Sequence, residues 1–284
     1  MSGDDKGVRV WRVEDGKQRA YMEMNDVDCL AVSKDGRWIG VGTWGSCLCV
    51  WDAARLERVL QHKGSIVDVN HGVDFSPDST RLVSANYFTA TIWDIPTGKR
   101  VQRLRHVGWV IAAKYASQGD RIATATRKGS VRVWNSGNGH LLADIPVTVV
   151  PEYNTGLLWL NDHLLVIANN LIKQFDVSTA SVISEWLVPD TNIYSCIALS
   201  QDSKLCAYAT NHNVTLFNTS THSQLGFIKY PQAIRSIAFS PDHRFLAIGG
   251  EDGKINVDKL LLIIVSFVSR LSLARLSNNL HSGT

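Results

Sequence analysis

If this chain performs chemistry, the side chains for it are few. Its five cysteines are Cys29, Cys47, Cys49, Cys196 and Cys206. Cys47 and Cys49 lie two apart in a β-prone stretch, so they point to one face and their sulfurs are able to meet. No CxxC pair accompanies them and no second ligand pair stands at metal spacing, which argues against zinc and for reduced, half-buried thiols. The nine histidines are scattered. Asp4-Asp5 and Glu251-Asp252 stand in turn-like stretches beside glycine and lysine, where carboxylates serve as solvated turn residues. The sequence holds no nucleophile elbow, HExxH, Walker loop or dinucleotide-binding glycine fingerprint. Neither a catalytic centre, a metal nor a cofactor is expected.

The elements that would position any site are set by a repeat. A large apolar residue followed by aspartate or a near relative recurs at Trp11-Arg12, Trp51-Asp52, Trp93-Asp94, Trp134-Asn135, Phe175-Asp176, Phe217-Asn218 and Val257-Asp258. The spacings are 40, 42, 41, 41, 42 and 40 residues. A period of about 40–45 residues ending in Trp-Asp marks a four-stranded blade of a β-propeller. Within one period, Val73–Ser76 closes a strand and Pro77-Asp78-Ser79 turns. Arg81–Ala85 and Thr89–Asp94 follow as strands, and Pro96–Lys99 turns into Arg100–Leu104. Ser33–Gly36, Ser117–Asp120, Ser200–Ser203 and Ser240–His243 occupy the turn between first and second strands, where serine, aspartate and glycine serve backbone geometry.

Composition agrees with a globular protein. Hydrophobic residues make up 45% and charged residues 19% of 284 positions, and the net charge of +3 gives no general argument for nucleic acid or an acidic membrane surface. The first residues, Met-Ser-Gly-Asp-Asp-Lys-Gly, contain no apolar stretch of the kind a secretory signal needs. The apolar run Leu260–Val268 falls short of the roughly 20 residues that span a bilayer, and Arg270 and Arg275 follow it. No membrane insertion is expected, and the thiols fit an intracellular compartment, cytoplasmic or nuclear.

These repeats resemble the WD-repeat (WD40) family over residues 7–258, organised as in the β-subunit of trimeric G proteins. The resemblance implies an all-β, WD40-type propeller of six to seven four-stranded blades. It also implies a buried set in each blade: a histidine before the first strand, a Ser or Thr in the second, an Asp in the turn before the third, and the tryptophan. His62, Ser84 and Trp93 match three of these positions, as do His106, Thr124 and Trp134. The Asp is replaced by Asn86-Tyr87 and by Arg127-Lys128. In this parse 7–24 is a partial blade, full blades run to about 230, 233–258 is the last, and 259–284 is an atypical tail.

The ends read as incomplete. Three explanations stay open: the tail supplies degenerate strands, the ring closes with six blades, or the chain is a truncated gene product. In the family, the loops between second and third strands and between successive blades share one rim. Trp44, Tyr87, Phe88, Arg127 and Lys128 map to the first class. Arg105, Trp109 and Tyr153 map to the second, with Lys63 and Tyr230. Trp109 and Tyr153 also stand at the starts of inner strands, where a core role is the alternative. Exposed aromatics with arginine are the residue types that dominate interaction hot spots. The expectation is a non-catalytic scaffold for proteins or peptides, with nucleic acid the less favoured partner, although the basic loops leave a chromatin-tail or nucleic-acid reader as an alternative.

Overall fold

The computed structural model describes residues 1–45, 47–63, 72–147, 156–168, 171–188 and 196–260. Its described elements are strands, arranged as seven antiparallel sheets in which each strand pairs with its sequence neighbour. The first and seventh sheets have three strands and the other five have four. The chain divides into two compact units, Met1–Leu187 with the first five sheets and Val188–Thr284 with the sixth and seventh.

The sequence-derived parse meets one addition at its start. Gly7–Trp11 and Gln18–Glu23 are the expected third and fourth strands, and Ser2–Asp4 pairs with the former as a short second strand. In the seventh sheet, Ile234–Phe239, Phe245–Gly250 and Ile255–Lys259 form the three strands. Tail residues 261–284 lie outside the described residues.

Burial explains why each sheet reads as it does. The second and third strands carry apolar residues on both faces; in Arg81–Asn86 and Thr89–Asp94 all eight inner positions are buried. The fourth strand is mostly exposed: in Arg100–Arg105 only Leu104 is buried. The third sheet therefore packs both faces through its middle strands and leaves its fourth strand to solvent. Within the first unit, Val83, Ala85 and Ile92 of the third sheet meet Val110, Ile122 and Trp134 of the fourth. The opposite faces of those sheets meet their other neighbours through Trp93 with Leu48 and Val50, and through Val133 with Phe175 and Leu164.

The periodic residue sits at a β-bulge. Register between third and fourth strands shifts at Val10/Trp11, Val50/Trp51, Ile92/Trp93, Val133/Trp134, Gln174/Phe175 and Leu216/Phe217. A bulge adds twist and bends the strand, and a large residue there fills the space opened against the neighbouring sheet. Trp93, Trp134, Phe175 and Phe217 are buried accordingly. The following Asp or Asn turns its side-chain oxygen onto the next hairpin. Asp52 accepts from the amides of Ala54 and Arg55, Asn135 from Gly137 and Asn138, and Asn218 from Ser220 and Thr221. Asn does this as well as Asp because only the acceptor oxygen is needed.

An indole needs an acceptor for its N–H when buried. Trp93 Nε1 donates to Ser84 Oγ at 3.0 Å and Trp134 Nε1 to Thr124 Oγ1 at 2.8 Å. The same bond, unanticipated, joins Trp11 to Ser2 at 2.9 Å. In the second sheet Val41 takes the corresponding position, and the buried Trp51 Nε1 has no partner. In the fifth, Val166 stands there and the periodic residue is Phe175, which has nothing to donate.

Register corrects one reading. Asp258 lies opposite Leu246 as Trp93 lies opposite Leu82, so the seventh periodic position is Asp258 and not Val257. In the fourth sheet Ser117–Asp120 lie in the first–second turn as expected, with Ala116 in the place of Ser76, since its amide bonds Arg121 O as that of Ser76 bonds Arg81 O. The remaining turns behave as expected. Ser33, Ser76, Ser200 and Ser240 donate to Asp35, Asp78, Asp202 and Asp242 at 2.5–2.7 Å, holding all four carboxyls below their usual pKa.

Candidate functional site

A strand–turn–strand meander places alternate connections at opposite edges of a sheet. One edge carries the first–second and third–fourth turns, whose polar groups are spent on their own backbone as just described. The other carries the second–third turns and the connections between sheets, where the predicted rim residues lie.

Backbone hydrogen bonds hold this rim between the third and fourth sheets. The amide of His106 donates to Phe88 O at 2.8 Å, that of Val110 to Tyr87 O at 3.1 Å, and that of Arg127 to Trp109 O at 2.8 Å. The turn Tyr87-Phe88, the connection 106–109 and the turn at Arg127 are thereby one latched unit. Its side chains form a chain of contacts. Phe88 lies 6.3 Å from Tyr87, Tyr87 meets Trp109 edge-to-face at 4.5 Å, and the Arg127 guanidinium lies 5.1 Å from the Trp109 ring centroid. A Cβ at Gly108 would come 3.6 Å from the Lys128 stem, so Lys128 closes over the same connection. Phe88 is 55% and Trp109 36% exposed, with Val107 between the two sheets more exposed still.

Of the predicted residues, the structure thus brings together Tyr87, Phe88, Trp109, Arg127 and Lys128. Arg105 is exposed beside them, opposite Thr89 at the end of its strand. Trp44 is 53% exposed in the corresponding turn of the second sheet, its amide on Asp26 O at 3.0 Å. Trp109 belongs to the rim and not to the core. Tyr153 lies outside the described residues. In the second unit Tyr230 is committed elsewhere, its hydroxyl bonded to the Asp258 carboxylate. Val107 was missed, since a lone valine between His106 and Gly108 carries no sequence signal for exposure.

The expected buried sets are present in part. His106 packs edge-on against Trp134 at 5.2 Å. His62 packs at a tilt on Trp93, ring centroids 4.7 Å apart, but from within the fourth strand Arg58–Lys63 of the second sheet and not from a loop. With Arg127-Lys128 where an acid would stand, both nitrogens of the buried His106 lack a hydrogen-bond partner. Burial, aided by nearby Arg132, lowers its pKa to about 4.

Among the described residues no cluster of three His, Cys, Asp or Glu could hold a metal ion. No helix among them is long and apolar enough to cross a membrane.

The repeat, its bulged tryptophans and their hydroxyl partners agree with comparison to known proteins. The family described as "WD domain, G-beta repeat" matches residues 20–52, 98–135 and 223–257. The chain belongs to the WD-repeat family. This WD-repeat chain is 24% identical over 238 residues to the Xenopus laevis U3 small nucleolar RNA-associated protein 15 homolog, covering 81% of this chain and 45% of that protein. It is 25% identical over 146 residues to the rice small ribosomal subunit protein RACK1y, covering 48% and 43%. It is 21% identical over 202 residues to the chicken serine-threonine kinase receptor-associated protein, covering 69% and 55%. The WD-repeat chain spans about half the length of these relatives, or less.

Proposed function

We propose that this chain is a non-catalytic interaction platform that binds protein partners through the rim of its second to fourth sheets. The observation that carries the reading is the latched contact series Phe88–Tyr87–Trp109–Arg127. Exposed aromatics backed by a fixed main chain lose little conformational entropy on binding, and arginine over an indole adds a cation able to pair with a partner carboxylate. Lys128 and Arg105 extend the positive field, so an acidic peptide is the favoured ligand class.

An RNA-associated role is the second reading. Stacked aromatics interleaved with Arg and Lys also suit unpaired bases, and one relative is named for association with a small nucleolar RNA. The relatives' names also favour an intracellular setting, nucleolar or ribosomal.

The test is a photo-crosslinking phenylalanine analogue placed at Phe88 in the full chain in cells, with the same group at His212 as control. Protein adducts at position 88 that are absent at 212 support the platform. RNA adducts, with affinity falling steeply as salt rises, support the second reading. Equal adducts at both positions contradict a localised site.

A further inference from the structure

We propose that Cys47 and Cys49 form a reversible dithiol–disulfide site whose oxidant is a low-molecular-weight disulfide such as oxidised glutathione. Both cysteines belong to the strand Cys47–Asp52, two residues apart, and their sulfurs lie 3.4 Å from one another. The two are not equivalent. Cys47 is the half-buried first residue of the strand, whereas Cys49 is buried against Val8, Met22 and Val41 between the first and second sheets. One thiol is therefore placed to meet a reagent and the other to resolve the product from inside.

The surroundings favour a thiolate at Cys47. Gln61 Nε2 lies 3.7 Å from Cys47 Sγ, and Lys63 stands directly opposite Cys47 on the neighbouring strand, with Arg58 further along it. Donation from the Cys49 thiol is the main reason that Cys47 is lowered to about 6, against burial and with help from Gln61, Lys63 and Arg58. The same bond, with burial, pushes Cys49 up. The contacts thus favour one thiolate held by one thiol, the arrangement that thiol–disulfide exchange needs.

The reaction balances without any further reagent. The Cys47 thiolate attacks one sulfur of glutathione disulfide, that S–S bond breaks, and a glutathione thiolate leaves. Cys49 gives its proton to that thiolate and attacks Cys47 Sγ, breaking the mixed disulfide and releasing the second glutathione, which takes a proton from water. The protein loses two electrons and glutathione gains them. Strand rise puts the two Cα atoms roughly 6.6 Å apart, close to the upper limit of about 6.8 Å for a disulfide. The product is a strained bond, easily reduced, as suits a switch more than a structural link.

The other thiols are internal controls. Burial raises Cys29, and raises Cys196 and Cys206 to about 12, so they remain protonated.

The experiment incubates the native full chain with glutathione redox buffers, quenches with acid, alkylates remaining thiols and maps peptides. A Cys47–Cys49 disulfide in the wild type, reversed by dithiothreitol, is the expected result. Cys49→Ala should accumulate a mixed glutathione disulfide at Cys47 and move the pH midpoint of Cys47 alkylation upward; Cys47→Ala should show neither product. A persistent glutathione adduct on wild-type Cys47, no modification of the pair, or equal modification of Cys196 and Cys206 would overturn the proposal. The wild-type mapping decides it even if Cys49→Ala fails to fold.

Discussion

The rim between the third and fourth sheets and its counterpart between the sixth and seventh have the same backbone and different side chains. In the first, the amides of His106, Val110 and Arg127 bond the carbonyls of Phe88, Tyr87 and Trp109. In the second, those of Tyr230, Ile234 and Glu251 bond His212, Asn211 and Ala233. Tyr87 thus corresponds to Asn211, Phe88 to His212, Trp109 to Ala233, and Arg127 to Glu251. A related latch with a connection shorter by two residues, between the first and second sheets, uses Lys6, Asp5 and Asp26 as acceptors and brings Trp44 to the place of Arg127. The latch forms with aromatic, amide, acidic or small residues alike, so folding does not demand aromatics there. The concentration of Tyr87, Phe88, Trp109 and Arg127 at one copy then calls for a functional reason.

The largest expected effect separates scaffold from rim. Trp93→Ala empties a buried bulge position on which Leu48, Val50 and Leu82 pack, and should lower stability by about 3–5 kcal/mol in denaturant titrations. Phe217→Ala should fall in the same range although its sheet has a different rim. An effect below about 1 kcal/mol at either would mean that the periodic residues do not carry the fold.

Next in size is the indole partner. Thr124→Val should cost about 1–3 kcal/mol by stranding the Trp134 N–H, and Trp134→Phe in the same chain should recover part of the hydroxyl loss, as Val166 with Phe175 already suggests. Additive losses in that double-mutant cycle would remove the hydrogen bond from the account.

The third effect depends on pH and marks a difference between the two rims, because Tyr230 stands where His106 does. The folded pKa of His106, lowered to about 4, lies below the unfolded value near 6.5. The unfolded chain then binds the proton more readily, so this contribution is complete above pH 6.5 and is lost as pH falls toward 4. Stability measured between these values should rise with pH, and His106→Phe should flatten the rise. An unchanged slope in His106→Phe would assign it to other groups.

Smallest is the rim itself. Phe88→His, which copies the counterpart rim, should change stability by no more than about 0.5 kcal/mol. A larger loss would make Phe88 a folding residue.

Much of this was legible in advance, for identifiable reasons. Strand number and order follow from a period that a two-residue signature exposes, and the turn chemistry of Ser76-Asp78 is local. The seventh repeat misleads because Val257-Asp258 has the right residue types. Its turn, Gly250–Lys254, is one residue longer than Asn86–Thr89, so that pairing puts Asp258, and not Val257, opposite Leu246 as Trp93 is opposite Leu82. Ser2 as partner of Trp11 was invisible because a three-residue strand has no periodicity to detect. The rim aromatics were legible as a set through loop position alone, but their edge-to-face packing and the latch beneath them depend on contacts between sheets, which no local pattern encodes.

The most direct measurement compares the wild-type chain with Tyr87→Asn/Phe88→His/Trp109→Ala/Arg127→Glu, which transplants the counterpart rim, by quantitative affinity capture from cells alongside thermal melting. The account predicts a cooperative melt close to wild type with loss of the proteins captured by the wild-type chain. The same proteins captured at the same occupancy by the transplanted chain would contradict it.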